Sequence, residues 1–325
     1  MRATRLFLRG CRNCLTGKPL VVSFEVTGSC NANCLHCEKG GIIRDEVQLP
    51  PSKIFEYYRD LRPVAVQVSG GEPLLRKDVI KIVRAIKEPN GTPYFILVTN
   101  GLLLNKGLYL ELRGAGVDQF SVSLDFSDER HDRFRRLPGL FRHLEKTIPE
   151  LTALGHNDIV LNTAITRENL DDLLAVFATA EKWGASLSYS AYSPLRTGNR
   201  DLLITSAQDL TRLRATIDKL ITMKRQGRQI RNPVSVLENI FRFFKEGALG
   251  GCKTGIRFFT ITPDGFFRPC SHKPWRFETH KELKQGYSRT NTCGGCYVAI
   301  RGYSDKSFFG LLKEQIVARF LPIDV

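Results

Sequence analysis

The sequence predicts an α/β fold, a parallel sheet with helices outside it, and three observations carry that reading. Over residues 20–225, short apolar β-branched runs alternate with stretches whose apolar residues recur at helical spacing. Six such strand–helix units follow one another in register, the arrangement of parallel strands joined by crossover helices. After residue 225 the alternation stops and a cysteine-bearing segment begins. Residues 226–325 are therefore read as a smaller second domain, and 1–19 as a basic, apolar extension.

In chain order, the strands are expected at 19–26 (P-L-V-V-S-F-E-V), 64–70 (V-A-V-Q-V-S-G), 94–99 (Y-F-I-L-V-T), 120–124 (F-S-V-S-L), 159–165 (I-V-L-N-T-A-I) and 187–192 (L-S-Y-S-A-Y). Helices are expected at 51–61, 78–87, 105–114, 171–183 and 208–221, each with apolar residues on one face. A hairpin is expected within 256–270, where two strands flank the turn Pro263-Asp264-Gly265.

The chain has 325 residues, 42% hydrophobic and 25% charged, ordinary values for a globular protein. No run is long and apolar enough for a membrane span, and no signal peptide opens the sequence, so a cytoplasmic location is expected. Nine cysteines in a reducing compartment read as metal ligands rather than disulfides. Forty-eight basic residues against 33 acidic give a net charge of +15, which suits an anionic substrate or surface and equally a plain solvated surface.

The densest signal is C-N-A-N-C-L-H-C, which places Cys30, Cys34 and Cys37 in one loop straight after the first strand. Three thiolates can ligate three corners of a cubane cluster and leave the fourth iron open to a small molecule. The x3/x2 spacing departs from ferredoxin runs and from paired zinc knuckles, while buried thiols or a zinc knuckle remain the plain alternative. About forty residues on, the second strand ends in Gly70-Gly71-Glu72. Glycines let backbone approach closely, and a carboxylate offers acceptors to an ammonium, although such a triplet alone is usually a turn.

Together these motifs resemble the radical S-adenosylmethionine (SAM) superfamily. The resemblance implies a partial (β/α)6 TIM-type barrel, a [4Fe–4S] cluster on Cys30, Cys34 and Cys37, and SAM bound with its amino group at Gly70, Gly71 and Glu72. By the same resemblance His36 fills an aromatic slot beside the adenine, Ser123 and Asp125 approach the ribose and carboxylate, and Asn100 closes the third strand in a recurring T-N-G. Thr163 and Thr166 on the fifth strand, with Ser190 and Tyr192 on the sixth, stand where adenine contacts are often made. Ordinary strand-end hydrogen bonding is the alternative for each. His131-Asp132 is similar to a sequence of related enzymes and is read as structural.

Downstream, Cys252 and Cys270 are spaced as C-x12-G-x4-C, and Cys293 with Cys296 forms a C-x2-C knuckle. These four resemble the Twitch domain, a shortened SPASM domain, and imply a second Fe–S cluster, taken as [4Fe–4S]. A structural zinc site fits the same spacing. Cys11 and Cys14 are left over, and plain structural thiols are the favoured reading.

By resemblance, the activity is reductive cleavage of SAM to a 5′-deoxyadenosyl radical, supplied with electrons by a flavodoxin or ferredoxin. Few residues precede the first strand, which argues against a leader-peptide domain, and the terminal Gly-Gly of the GTP-acting relative is absent. The basic, apolar segments 2–8 and 307–321 suit peripheral contact with an anionic membrane. A small-molecule or lipid substrate is therefore expected, with peptide or protein maturation as the alternative. A non-catalytic basic nucleic-acid-binding module is the remote alternative, disfavoured because the basic residues are dispersed.

Overall fold

The computed structural model describes residues 2–306. All six expected strands form: β1 Val21–Glu25, β2 Ala65–Ser69, β3 Tyr94–Thr99, β4 Gln119–Ser123, β5 Ile159–Ile165 and β6 Ser186–Ala191. The hairpin forms as β7 Phe258–Ile261 and β8 Phe267–Arg268. The chain divides into two compact units, residues 1–121 with 253–291, and 122–252 with 292–325. The hairpin is part of the first unit.

In the first unit β3, β2, β1 and β7 are parallel neighbours in that order, and β8 runs antiparallel to β7. Register places Val22, Val66, Phe95 and Phe259 in one row, and Phe24, Val68, Leu97 and Ile261 in the next. All eight are buried. The helices Pro51–Leu61, Val79–Ile86 and Lys106–Ala115 bury Ile54, Ile82, Val83, Ile86 and Leu112, so apolar strand positions and helix stripes meet in one core. The alternate strand positions are polar. Ser23 lies level with Gln67 and Thr260, and its Oγ is 3.1 Å from Ser69 Oγ. Side chains alternate faces along a strand, so this polar face leads to the β1 and β2 ends that carry the motifs.

In the second unit β5 and β6 are parallel over six residue pairs. Helices there span Leu140–Thr152, Leu173–Lys182, Ala207–Arg225 and Val234–Glu246. Two of these were not expected. Pro149 inside it obscures the first, and the aromatic-rich segment Phe241–Phe244 belongs to the other. The extension at 1–19 is largely one helix, Arg2–Thr16. The expected amphipathic segment 307–321 lies outside the described residues. Among the described residues no helix is long and apolar enough to cross a membrane.

Candidate active site

In the first unit the chain leaves β1 at Glu25 and turns into the cysteine loop, which is fastened by backbone. Gly71 N donates to Thr27 O at 2.8 Å, Glu72 N to Ser29 O at 2.9 Å, and Cys30 N to Gly41 O at 2.9 Å. A Cβ on Gly70 would stand 2.1 Å from Thr27 O, and one on Gly71 2.2 Å from Ser29 O. Real Cβ atoms do not approach backbone so closely, and Gly70 also has a φ of +142°. These glycines therefore serve the close approach of two chain segments, with the cysteine loop as one of them.

Side chains complete the clasp. Glu46 accepts from Thr27 Oγ1 at 2.5 Å and from Gly28 N. Arg76, buried, donates to Val26 O at 2.9 Å and to Leu49 O at 2.5 Å, and it pairs with Asp78 at 2.6 Å. That bond to Arg76 holds the Asp78 carboxyl below its ordinary range. Asn100 Nδ2 reaches Asn31 Oδ1 at 2.7 Å and so ties the end of β3 to the cysteine loop. Glu46, Arg76 and Asn31 carry no motif that would single them out in the sequence.

Glu72 is bound within the chain. Its side chain has no exposed surface and already accepts from Thr99 Oγ1 at 2.7 Å, Asn100 N at 2.7 Å and Leu74 N at 3.0 Å. The carboxylate is thus engaged by the protein. Two sulfurs receive amide protons: Ala32 N donates to Cys30 Sγ and Lys39 N to Cys37 Sγ, each at 3.4 Å. Cys30 and Cys34 are buried, and His36 is half-buried between Cys34 and Cys37. Burial pushes the Cys30 thiol up to about 11; the Ala32 bond opposes this and the Glu72 charge adds to it.

The second unit holds the other expected SAM contacts, and they are more self-contained than expected. Asp125 is fully buried, accepts from Ala164 N at 3.0 Å and pairs with Arg135 at 2.6 Å. His131 Nδ1 accepts from Asp125 N at 3.1 Å; burial, with Arg135 nearby, drives its pKa well below the usual value, in keeping with a structural role. Thr163 Oγ1 donates to Leu124 O at 2.6 Å, and Thr166 bonds Asn169. Ser190 Oγ accepts from Ala299 N at 3.0 Å, and Tyr192 bonds Thr197 and Asn199. Asp125 and Thr163 thus shape the strand ends from inside, because burial favours bonding within the chain. Ser123 is half-buried.

Among the later cysteines, Cys270 follows β8 in the first unit, and Cys252, Cys293 and Cys296 belong to the second. In the second unit Leu249 N donates to Gly294 O at 2.9 Å, and Ser193 Oγ to Gly295 O at 2.7 Å. The buried Arg301 donates to Leu249 O and Gly250 O at 3.0 Å and to Cys296 O, so one guanidinium pins the Cys252 segment to the knuckle. Cys11 and Cys14 lie within the first helix, and burial raises the Cys14 thiol. Among the described residues no cysteine is in a disulfide, and no three His, Cys, Asp or Glu side chains converge as ligands of a single ion. A cubane spreads its sulfur ligands over separate corners, so the donor set is the relevant test of fit. Three cysteines on one clasped loop, two receiving N–H bonds, meet it.

The sequence pattern of the radical SAM superfamily matches residues 24–180. The chain is similar to that superfamily over just under half of its length. It is 29% identical over 286 residues to an AdoMet-dependent heme synthase of Methanosarcina barkeri, covering 80% of this chain and 79% of the relative. A probable GTP 3′,8-cyclase of Methanothermobacter marburgensis is 32% identical over 175 residues, 52% of this chain and 57% of that protein. The crystal structure of Streptococcus suis SuiB bound to S-adenosylmethionine matches with a TM-score of 0.63 at 16% identity, over 84% of this chain and 68% of that one. The likeness bears out the α/β fold of the radical SAM type, and the relatives are named as enzymes, so the chain is an enzyme similar to a superfamily that works with a [4Fe–4S] cluster and SAM.

Proposed function

We propose that this radical SAM enzyme holds its [4Fe–4S] cluster on Cys30, Cys34 and Cys37 and acts on a small-molecule or lipid substrate. The observation that carries the reading is the clasp: three cysteines on one loop, locked by main-chain bonds to the glycines that follow β2. When bound, the cluster and SAM supply a 5′-deoxyadenosyl radical, which abstracts hydrogen from a substrate or adds to it. The chain's part is positional. Carbonyls of residues 70–72 would accept from the SAM ammonium, with Glu72 and Asn31 fixing that turn and the loop and His36 and Asn100 beside them; in the second unit Ser123, Asp125, Thr163 and Ser190 are assigned to SAM by the family resemblance alone.

Ile42, Ile43 and Val47, all exposed, continue the cysteine loop in the first unit and favour a substrate with an apolar body. The relative named for making heme supports the same class. Cys252, Cys270, Cys293 and Cys296 are assigned to a second Fe–S cluster in a Twitch-like arrangement, with a flavodoxin or ferredoxin as electron donor. We place the enzyme in the cytoplasm, with peripheral membrane contact for a lipid substrate.

The test is 5′-deoxyadenosine formation by anaerobically reconstituted protein with SAM and dithionite, beside a Cys30→Ala/Cys34→Ala/Cys37→Ala variant. Formation by the wild type alone is expected, and iron in the variant should fall by one cluster's worth. Equal formation by both proteins would sink the assignment. Zinc in place of the variant's remaining iron would overturn the second cluster.

A further inference from the structure

Lys18 lies just before β1 and Arg62 just before β2, so both stand at the strand edge opposite the one that carries Cys30 and Gly70. Leu8, Arg9, Arg12 and Asn13 of the first helix join them around a cavity of about 260 Å³. The pocket is a built one. Asn13 is buried, and its Nδ2 donates to Pro19 O at 2.7 Å and to Arg62 O at 2.9 Å, fastening the helix to the segments that carry both cations. Arg62 caps the helix Pro51–Leu61 in the left-handed conformation, with φ +47°. Glycine is the usual occupant of such a cap, and a side chain there is strained. The strained position is held by a cation.

Charge in the pocket is unbalanced. The carboxylate paired with its cations is Glu88, 3.1 Å from Arg9 and 3.6 Å from Arg62. Burial alone would raise Glu88, but bonds from Tyr58, Asn90, Thr92 and Arg9 outweigh this and hold it at about 2, so it is a saturated anion. Lys18 Nζ reaches the Asp60 main-chain oxygen at 2.9 Å, which neutralises no charge. Four cations thus line a concave site against one committed carboxylate. Guanidinium forks beside an ammonium match the oxygens of a phosphate.

We propose that this cavity is a phosphate-binding site, separate from the SAM site, that takes the phosphate group of a soluble metabolite or of a lipid headgroup. Leu8, exposed at its rim, accommodates either source.

Inorganic phosphate titrated calorimetrically into the full-length reconstituted protein tests it. The wild type should bind, and Arg12→Ala/Lys18→Ala should bind at least about tenfold more weakly with unchanged circular dichroism. Should that pair fail to fold, the exposed single change Arg12→Glu replaces it. Wild type that binds no phosphate at millimolar concentration, or a folded variant that binds as tightly, would overturn the site. A second arm distinguishes the sources. Sedimentation with phosphatidylglycerol but not phosphatidylcholine vesicles, reversed by free phosphate, assigns a headgroup; phosphate binding with no sedimentation assigns a soluble ligand. Sedimentation undiminished in the variant counts against the pocket. Neither arm requires SAM turnover, so failure of the cluster assignment would be seen separately.

Discussion

The two cysteine sets of this chain keep opposite electrostatic company. Beside Cys30 the neighbouring charge is the buried carboxylate of Glu72. Beside Cys252 and Cys296 it is the buried guanidinium of Arg301. Their fastening differs too: main-chain bonds and absent Cβ atoms lock the first loop, while at the second the buried Arg301 guanidinium adds to one main-chain bond, Leu249 N to Gly294 O. A carboxylate disfavours an added electron nearby and a guanidinium favours it. If clusters bind at both proposed sites, this contrast predicts a lower potential for the first and a higher one for the second.

The largest blow to this contrast is Gly71→Ala. Its Cβ would meet Ser29 O at 2.2 Å, and the expected loss is on the order of 3–5 kcal/mol of stability together with 5′-deoxyadenosine formation. Thermal unfolding checks this; an unshifted midpoint would show that the clasp is not rigid. Next comes Arg301→Met, which leaves the carbonyls of Leu249, Gly250 and Cys296 without this donor and should cost about 2–4 kcal/mol. Spectroscopic redox titration should then find the second cluster's potential more negative and the first unmoved.

Glu72→Gln is a milder change, about 1–3 kcal/mol, since one acceptor oxygen survives. Here the first cluster's potential should rise and the second stay put; a shift in both would dissolve the contrast. Smallest is Asn105→Ala, which removes the cap of the helix Lys106–Ala115, where Asn105 Oδ1 accepts from Leu108 N at 3.0 Å. It should cost about 1 kcal/mol and move neither potential.

Much of the fold was legible because its signals are local. The run V-V-S-F-E is a strand by composition, and P-S-K-I-F-E-Y-Y-R-D-L matches its helix residue for residue. The cysteine triple and Gly70-Gly71 were likewise visible as spacing. What escaped depends on distant partners. No sequence window shows that β7 lies beside β1, because parallel pairing joins residues more than two hundred positions apart. Glu72 illustrates the limit within a motif: the residue was singled out, but the direction of its carboxylate was set by Thr99 and Asn100 on another strand. Arg301 and Asn13 look like ordinary polar residues until their buried carbonyl partners are known.

The backbone clasp also bears on how such an enzyme survives in a cell exposed to oxygen. The bonds that hold residues 27–30 to 41 and 70–72 run from chain to chain and use no iron. Oxidative loss of the proposed cluster should therefore leave the receptor loop folded rather than slack, so that iron, sulfide and electrons, and not a new polypeptide, would restore it.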